Sequence, residues 1–148
     1  MADERIYPTR PFLAVSAAIL RDGKVLVVRR ARAPANGVFS LPGGVVEAGE
    51  TLTEAVKREI DEETALTIEP VALAGYREVV ARDAHDKVER HFVILPFAAH
   101  WIAGEPKLNE ELSEFRWVDP ADVANMATTP GLAEIVAAAV GLLSTRPA

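Results

Sequence analysis

Hydrophobic positions along the 148-residue chain follow two different periods, and the changes between them mark its elements. Leu13 to Leu20 and Lys24 to Val28 are β-rich runs parted by Arg21-Asp22-Gly23, which predicts a hairpin. The loop ARAPANG follows, then a short strand, and Pro42-Gly43-Gly44 predicts a tight turn. From about Thr67 to Ala81 the pattern predicts a strand, and HFVILPFAAHW predicts another beyond the charged turn DAHDK. Pro96 lies inside that second run. Because proline donates no backbone hydrogen bond, an edge position or a bulge is expected there. Ser113 to Val118 reads as a further strand and Pro120 as the start of a short helical turn. Thr129-Pro130 reads as an N-cap with proline at the first helical position, opening a last helix to about Leu143. Strands interspersed with helices predict an α/β fold with a mixed sheet between helices, in a single domain over residues 1–148 with its core at about 11–143.

The segment after the glycines breaks the strand pattern. Thr51-Leu52-Thr53-Glu54 is a capping box, so a helix is expected from Leu52. On a wheel of about 100° per residue, Leu52, Ala55, Val56 and Ile60 form an apolar face. Glu59 and Glu63 fall inside that face, Glu62 on its margin, and Glu54, Lys57, Arg58 and Asp61 on the far side. A solvated acidic stripe accounts for Glu54 and Asp61 but not for Glu59 and Glu63. Two carboxylates one turn apart and sheltered from water repel each other and take up protons unless a cation holds them. No lysine or arginine of the helix shares their face, so a divalent cation is the expected partner. Oxygen donors without His or Cys suit Mg²⁺ or Mn²⁺. Gly43 and Gly44 allow close backbone approach, and Gly44 can offer a carbonyl. Arg58, spaced four residues from both Glu54 and Glu62, can orient either.

Composition narrows the partners. A net charge of −6 argues against a general nucleic-acid or anionic-membrane surface. There are no cysteines, which excludes disulfides and thiolate metal sites. MADERIYPTR lacks the apolar core of a signal peptide, and IVAAAVGLL is too short to span a bilayer, so a cytoplasmic protein is expected.

Residues 44–66 resemble the signature of the Nudix hydrolases, G-x5-E-x7-R-E-U-x-E-E-x-G-U, where U is a bulky aliphatic residue. Gly44, Glu50, Arg58, Glu59, Ile60, Glu62, Glu63 and Leu66 match in place, and Ala65 stands where the family usually has glycine. The resemblance implies an α/β/α sandwich that hydrolyses a nucleoside diphosphate linked to a further group. Substrates in such a family include nucleotide sugars such as ADP-ribose and nucleoside triphosphates, some of them oxidised. It implies metal ligation by Glu59, Glu63 and Glu62, assisted by the Gly44 carbonyl, with Arg58 in the catalytic set. The general base is left open among Glu62, Glu59, Glu110 and Glu111. A catalytically silent nucleotide-binding sensor would be expected to lack some of these carboxylates, and all are present. An isoprenoid diphosphate isomerase on a similar fold normally depends on a cysteine, and there is none.

Beyond the signature, Arg30 shares the face of Leu26 and Val28 on a regular strand and is a candidate phosphate ligand, with Arg29 and Arg32 beside it. Phe39 is a candidate for stacking on a base, though core packing comes first. Arg77, Arg90 and His91 are candidates for the pocket mouth, and Trp117 for the core. In the last helix, Ala133, Ala137, Ala138 and Gly141 leave a small, uncharged outer face that suggests a homodimer.

Overall fold

The computed structural model describes residues 4–31 and 37–144, so Arg32 and the rest of its loop lie outside the described residues. Strand β1 (Phe12–Arg21) turns into β2 (Lys24–Arg30) through Asp22 and Gly23, whose φ values of 49° and 79° are what a two-residue hairpin turn requires. Next come β3 (Phe39–Ser40), β4 (Gly43–Val45), helix α1 (Leu52–Thr64), β5 (Thr67–Leu73), β6 (Arg77–Arg82) and the long β7 (Val88–Ala103). The chain ends through β8 (Leu112–Val118), a 3₁₀ turn (Pro120–Asn125) and helix α2 (Leu132–Ser144).

The strands form one mixed eight-stranded sheet in the order β3-β2-β1-β7-β5. β1 and β7 run parallel from Phe12↔Phe92 to Leu20↔His100, and the other strand pairs are antiparallel. β1 meets β2 only beside the turn, at Leu20↔Val25 and Arg21↔Lys24. Further along, β1 takes β4 as its neighbour while β2 pairs with β8. This fork positions the site described below.

The alternation of the strands serves two cores. Val15, Ile19, Leu26 and Val28 pack with Ala55, Val56, Ile60 and Leu66 on the α1 side. Ala18, Val25, Val27 and Phe39 pack with Leu132, Val136 and Ala139 on the α2 side. The result is the α/β/α sandwich. Full burial of a side chain such as Ile60 contributes about 1.5–3 kcal/mol, enough to hold α1 and its carboxylates to the sheet. Across α2, Ala137, Ala138 and Gly141 are exposed. No helix among the described residues is long and apolar enough to cross a membrane.

Four local expectations need correction. The strand expected from Thr67 to Ala81 is two strands, interrupted at Ala74-Gly75-Tyr76, where Gly75 has φ 141°. Pro96 is not at an edge, since β7 has β1 on one side and β5 with β6 on the other. Its carbonyl accepts from Ala74 N at 2.8 Å, so its missing donor faces the seam between β5 and β6 and interrupts no regular ladder. Pro42-Gly43-Gly44 is no tight turn, because Gly43 and Gly44 extend into β4. Finally, α2 begins at Leu132, two residues after Pro130, because Gly131 takes a left-handed φ of 80° that no helix residue can have.

Candidate active site

Helix α1 starts within its capping box, with Thr51 as the N-cap. Thr51 Oγ1 accepts from Glu54 N at 3.1 Å, and Glu54 Oε1 accepts from Thr51 N at 2.9 Å. Burying Ala55, Val56 and Ile60 carries the carboxylates of the same face inward. Glu63 is 4% exposed and the Glu59 side chain 18%, while Glu62 at the margin keeps 60%. Glu54 and Asp61 face solvent. The helix stops at Ala65, which adopts the left-handed φ of 64° that glycine would take without strain.

The glycines of β4 are there for proximity. A Cβ on Gly43 would run into the Val15 carbonyl and the Ser16 backbone. A Cβ on Gly44 would occupy the space of the Glu59 carboxylate. Backbone and carboxylate therefore meet with nothing between them.

The counter-charges come from two arginines that the helical wheel did not assign to this face. Arg30, at the end of β2, donates from Nη1 to Glu63 Oε2 at 3.0 Å, and Gly43 N donates to Glu63 Oε1 at 3.2 Å. Arg58 does not sit in solvent on the far side of α1, and it does not pair with Glu54. It curls over the helix to grip Glu50 with two bonds of 2.6 and 2.8 Å. It also donates to Glu59 at 2.8 Å, Glu62 at 3.2 Å and the Val45 carbonyl at 3.1 Å. A wheel shows one helix and not the strands that pack beside it.

These pairings leave the carboxylates in different states. Arg58 holds Glu50 down at about 2, and the same contact raises Arg58. Burial pushes Glu59 and Glu63 up from the usual carboxylate value, and their arginines offset only part of that. As the side chains stand, no three His, Asp or Glu groups converge as a ligand set among the described residues. The donor chemistry nevertheless fits a hard divalent cation: carboxylate oxygens alone, two of them penalised by burial, with the Gly44 backbone against one of them.

A cleft of about 1550 Å³ opens over this corner, roomy enough for a nucleotide. Gly44, Glu59, Glu62, Glu63 and Arg30 line it, as do Glu110 and Glu111. Arg77 and Arg90 lie on its far wall. Phe39 does not line it. Only 5% exposed, Phe39 belongs to the α2-side core, with Arg116 and Arg29 over its ring at 4.8 and 5.5 Å, which leaves no face for a base. His91 is not among the lining residues, because it alternates away from Arg90 and Phe92. Trp117 packs against the α1-side core. Sequence reasoning missed Phe12, Val79 and Phe92 in the wall. The spacing Arg77-x-Val79 and Arg90-x-Phe92-x-Ile94 was the available signal.

The NUDIX domain model matches residues 10–139. An ADP-ribose pyrophosphatase of Methanocaldococcus jannaschii is 37% identical over 123 residues, 83% of this chain and 70% of that relative. The crystal structure of a MutT NUDIX hydrolase from Burkholderia pseudomallei superposes with a TM-score of 0.74 at 31% identity, covering 86% of this chain and 97% of that one. The NUDIX domain of Shewanella oneidensis NrtR, solved in complex with ADP ribose, gives a TM-score of 0.70 at 26% identity, covering 91% and 90%. With the signature residues gathered on one helix and one glycine strand, and a matching model over most of its length, this chain belongs to the Nudix family and is a Nudix hydrolase.

Proposed function

We propose that this hydrolase cleaves the pyrophosphate bond of a nucleoside diphosphate linked to another group, using Mg²⁺ or Mn²⁺ held by Glu59, Glu62, Glu63 and the Gly44 carbonyl. The observation that carries the reading is the sheltered pair Glu59 and Glu63, set against a glycine backbone and short of positive charge. A bound divalent cation supplies charge neutralisation on the phosphate oxygens and acidifies water.

The chain's own residues do the rest. Arg30 and Gly43 N–H fix both oxygens of Glu63, so its carboxylate has one orientation. Arg58 ties Glu59 to Glu50 and to the β4 backbone, which makes it a positioning residue. Glu62, the most accessible carboxylate of the three, takes the proton of the attacking water, with Glu59, Glu110 and Glu111 as the other candidates. The substrate is a nucleotide sugar such as ADP-ribose or a nucleoside triphosphate, as suggested by the ADP-ribose pyrophosphatase and the ADP-ribose complex among the relatives.

The NrtR complex also suggests a second reading, a domain that binds nucleotide without turning it over. The full carboxylate set favours hydrolysis. A nucleotide panel with Mg²⁺, read out as released phosphate, nucleoside monophosphate or pyrophosphate, tests this. Chelator-sensitive turnover is the expected result, and binding without turnover would support the sensor instead.

A further inference from the structure

The wall of the cleft opposite the carboxylates has a chemistry of its own. In the register of the sheet, Phe12 pairs with Phe92, and Phe92 with Val79 across β1, β7 and β6. The next row on the same face is Val45, Ala14, Ile94 and Arg77 across β4, β1, β7 and β6. Phe12 and Phe92 are half-buried, with ring centroids 6.2 Å apart at 44°. They give the cleft an apolar, aromatic floor. Arg77 stands on the diagonal from Phe92, roughly 7–8 Å away by sheet geometry.

Arg77 differs from the two arginines beside the carboxylates. Arg30 and Arg58 are bound to carboxylates, whereas the Arg77 guanidinium has no hydrogen-bond or ion-pair partner among the described residues. It is half-buried, and burial alone lowers its pKa, with no acid nearby to offset it. A desolvated guanidinium facing an open cleft calls for acceptors from a ligand. Three strand spacings, about 14 Å, separate Gly44's strand from Arg77's, so Arg77 stands apart from the carboxylates that would hold the scissile phosphates and is placed for a more distant part of the ligand.

Resting on the proposed nucleotide hydrolysis, we infer that Phe12, Phe92 and Val79 form a base-stacking floor and that Arg77 reads the acceptor edge of a 6-oxopurine. Guanine and hypoxanthine present N7 and O6, two acceptors that match the donor fork of arginine. Adenine presents N7 beside an N6 amine, a donor facing a donor. The site therefore prefers guanosine and inosine nucleotides over adenosine nucleotides, which within the proposed substrate classes selects purine nucleoside triphosphates or guanosine diphosphate sugars and sets this chain apart from its ADP-ribose-acting relatives.

The test is calorimetric binding of methylene-bridged diphosphates of guanosine, inosine and adenosine, which cannot be cleaved, in the presence of Mg²⁺. The wild-type protein should bind the guanosine and inosine compounds at least tenfold tighter than the adenosine compound. Arg77→Met should bring all three to the adenosine level. Arg77→Gln should reverse the preference, because a glutamine amide matches N6 and N7 of adenine, and a reversal cannot come from misfolding. Equal affinities in the wild type would overturn the inference, as would uniform weakening of all three in Arg77→Met. Either result leaves the hydrolase reading standing if the panel is still turned over. Failure of all three to bind would also overturn the inference, and the hydrolase reading would fall with it only if the panel too is not turned over.

Discussion

Two arginine clusters in this molecule look alike and behave differently. At one end of β1, Arg21 makes two bonds to Glu105, at 3.0 and 2.7 Å, and lies 4.0 Å over the ring of Trp101. One cation meets one anion, Glu105 is drawn below its usual value, and nothing is left over. In the cleft, Arg58 and Arg30 face Glu47, Glu50, Glu59, Glu62 and Glu63, so that two arginines confront five carboxylates. Burial then leaves Glu59 and Glu63 raised rather than lowered. The first cluster is closed and serves to fasten the fold. The second holds more carboxylates than arginines, an excess that a divalent cation would offset.

The largest effects should separate the clusters by function. Glu59→Gln or Glu63→Gln should lower kcat by several orders of magnitude with unchanged circular dichroism, whereas Glu105→Gln and the solvent-facing Asp61→Asn should leave kcat within about twofold. A damaging Asp61→Asn would mean that the burial of α1 does not define its site. Next in size, Arg58→Met should reduce Mg²⁺ affinity or activity by about 10–100-fold, because it orients the carboxylates without replacing one. Activity titrated against Mg²⁺ would check this, with the loss largest at low metal concentration.

The pH dependence sharpens the contrast. Glu59 and Glu63 hold protons more tightly in the folded protein, so their contribution favours folding below the ordinary carboxylate range. It is lost as pH rises through the raised native values. Glu50 acts in the opposite sense, but only as pH falls toward about 2. In chelator, thermal stability should therefore decline as pH rises above the ordinary carboxylate range in the wild type and decline less in the Glu59→Gln, Glu63→Gln double variant. Added Mg²⁺ should recover the wild type alone. The smallest effect concerns the helix end: Ala65→Gly relieves a left-handed alanine and should raise stability by about 1 kcal/mol in a denaturant titration, with kcat unchanged.

What could be read from the sequence was local. The apolar face of α1 identified Glu59 and Glu63 as sheltered, because helical period and burial follow one rule and Ile60 and Val56 obey it. The hairpin at Asp22-Gly23 and the capping box at Thr51 are likewise set by neighbouring residues. Arg30 could be placed on the correct face of β2, but its pairing with Glu63 joins residues 33 apart and depends on the fork between β1 and β2. Pro96 looked like an edge or bulge residue because the seam between β5 and β6, which makes it harmless, lies elsewhere in the chain. Gly131 gave an ambiguous signal: a glycine after Thr129-Pro130 fits a helix start unless its φ is positive, and the sequence does not carry φ.

Titration of Mg²⁺ or Mn²⁺ into the nucleotide-free protein tests the charge deficit of the cleft most directly. The wild type should bind the ion, and Glu59→Gln and Glu63→Gln should each weaken binding by at least tenfold while Glu105→Gln leaves it unchanged. Equal affinity in all four proteins, or no binding by the wild type, would contradict the assignment of these carboxylates to a metal.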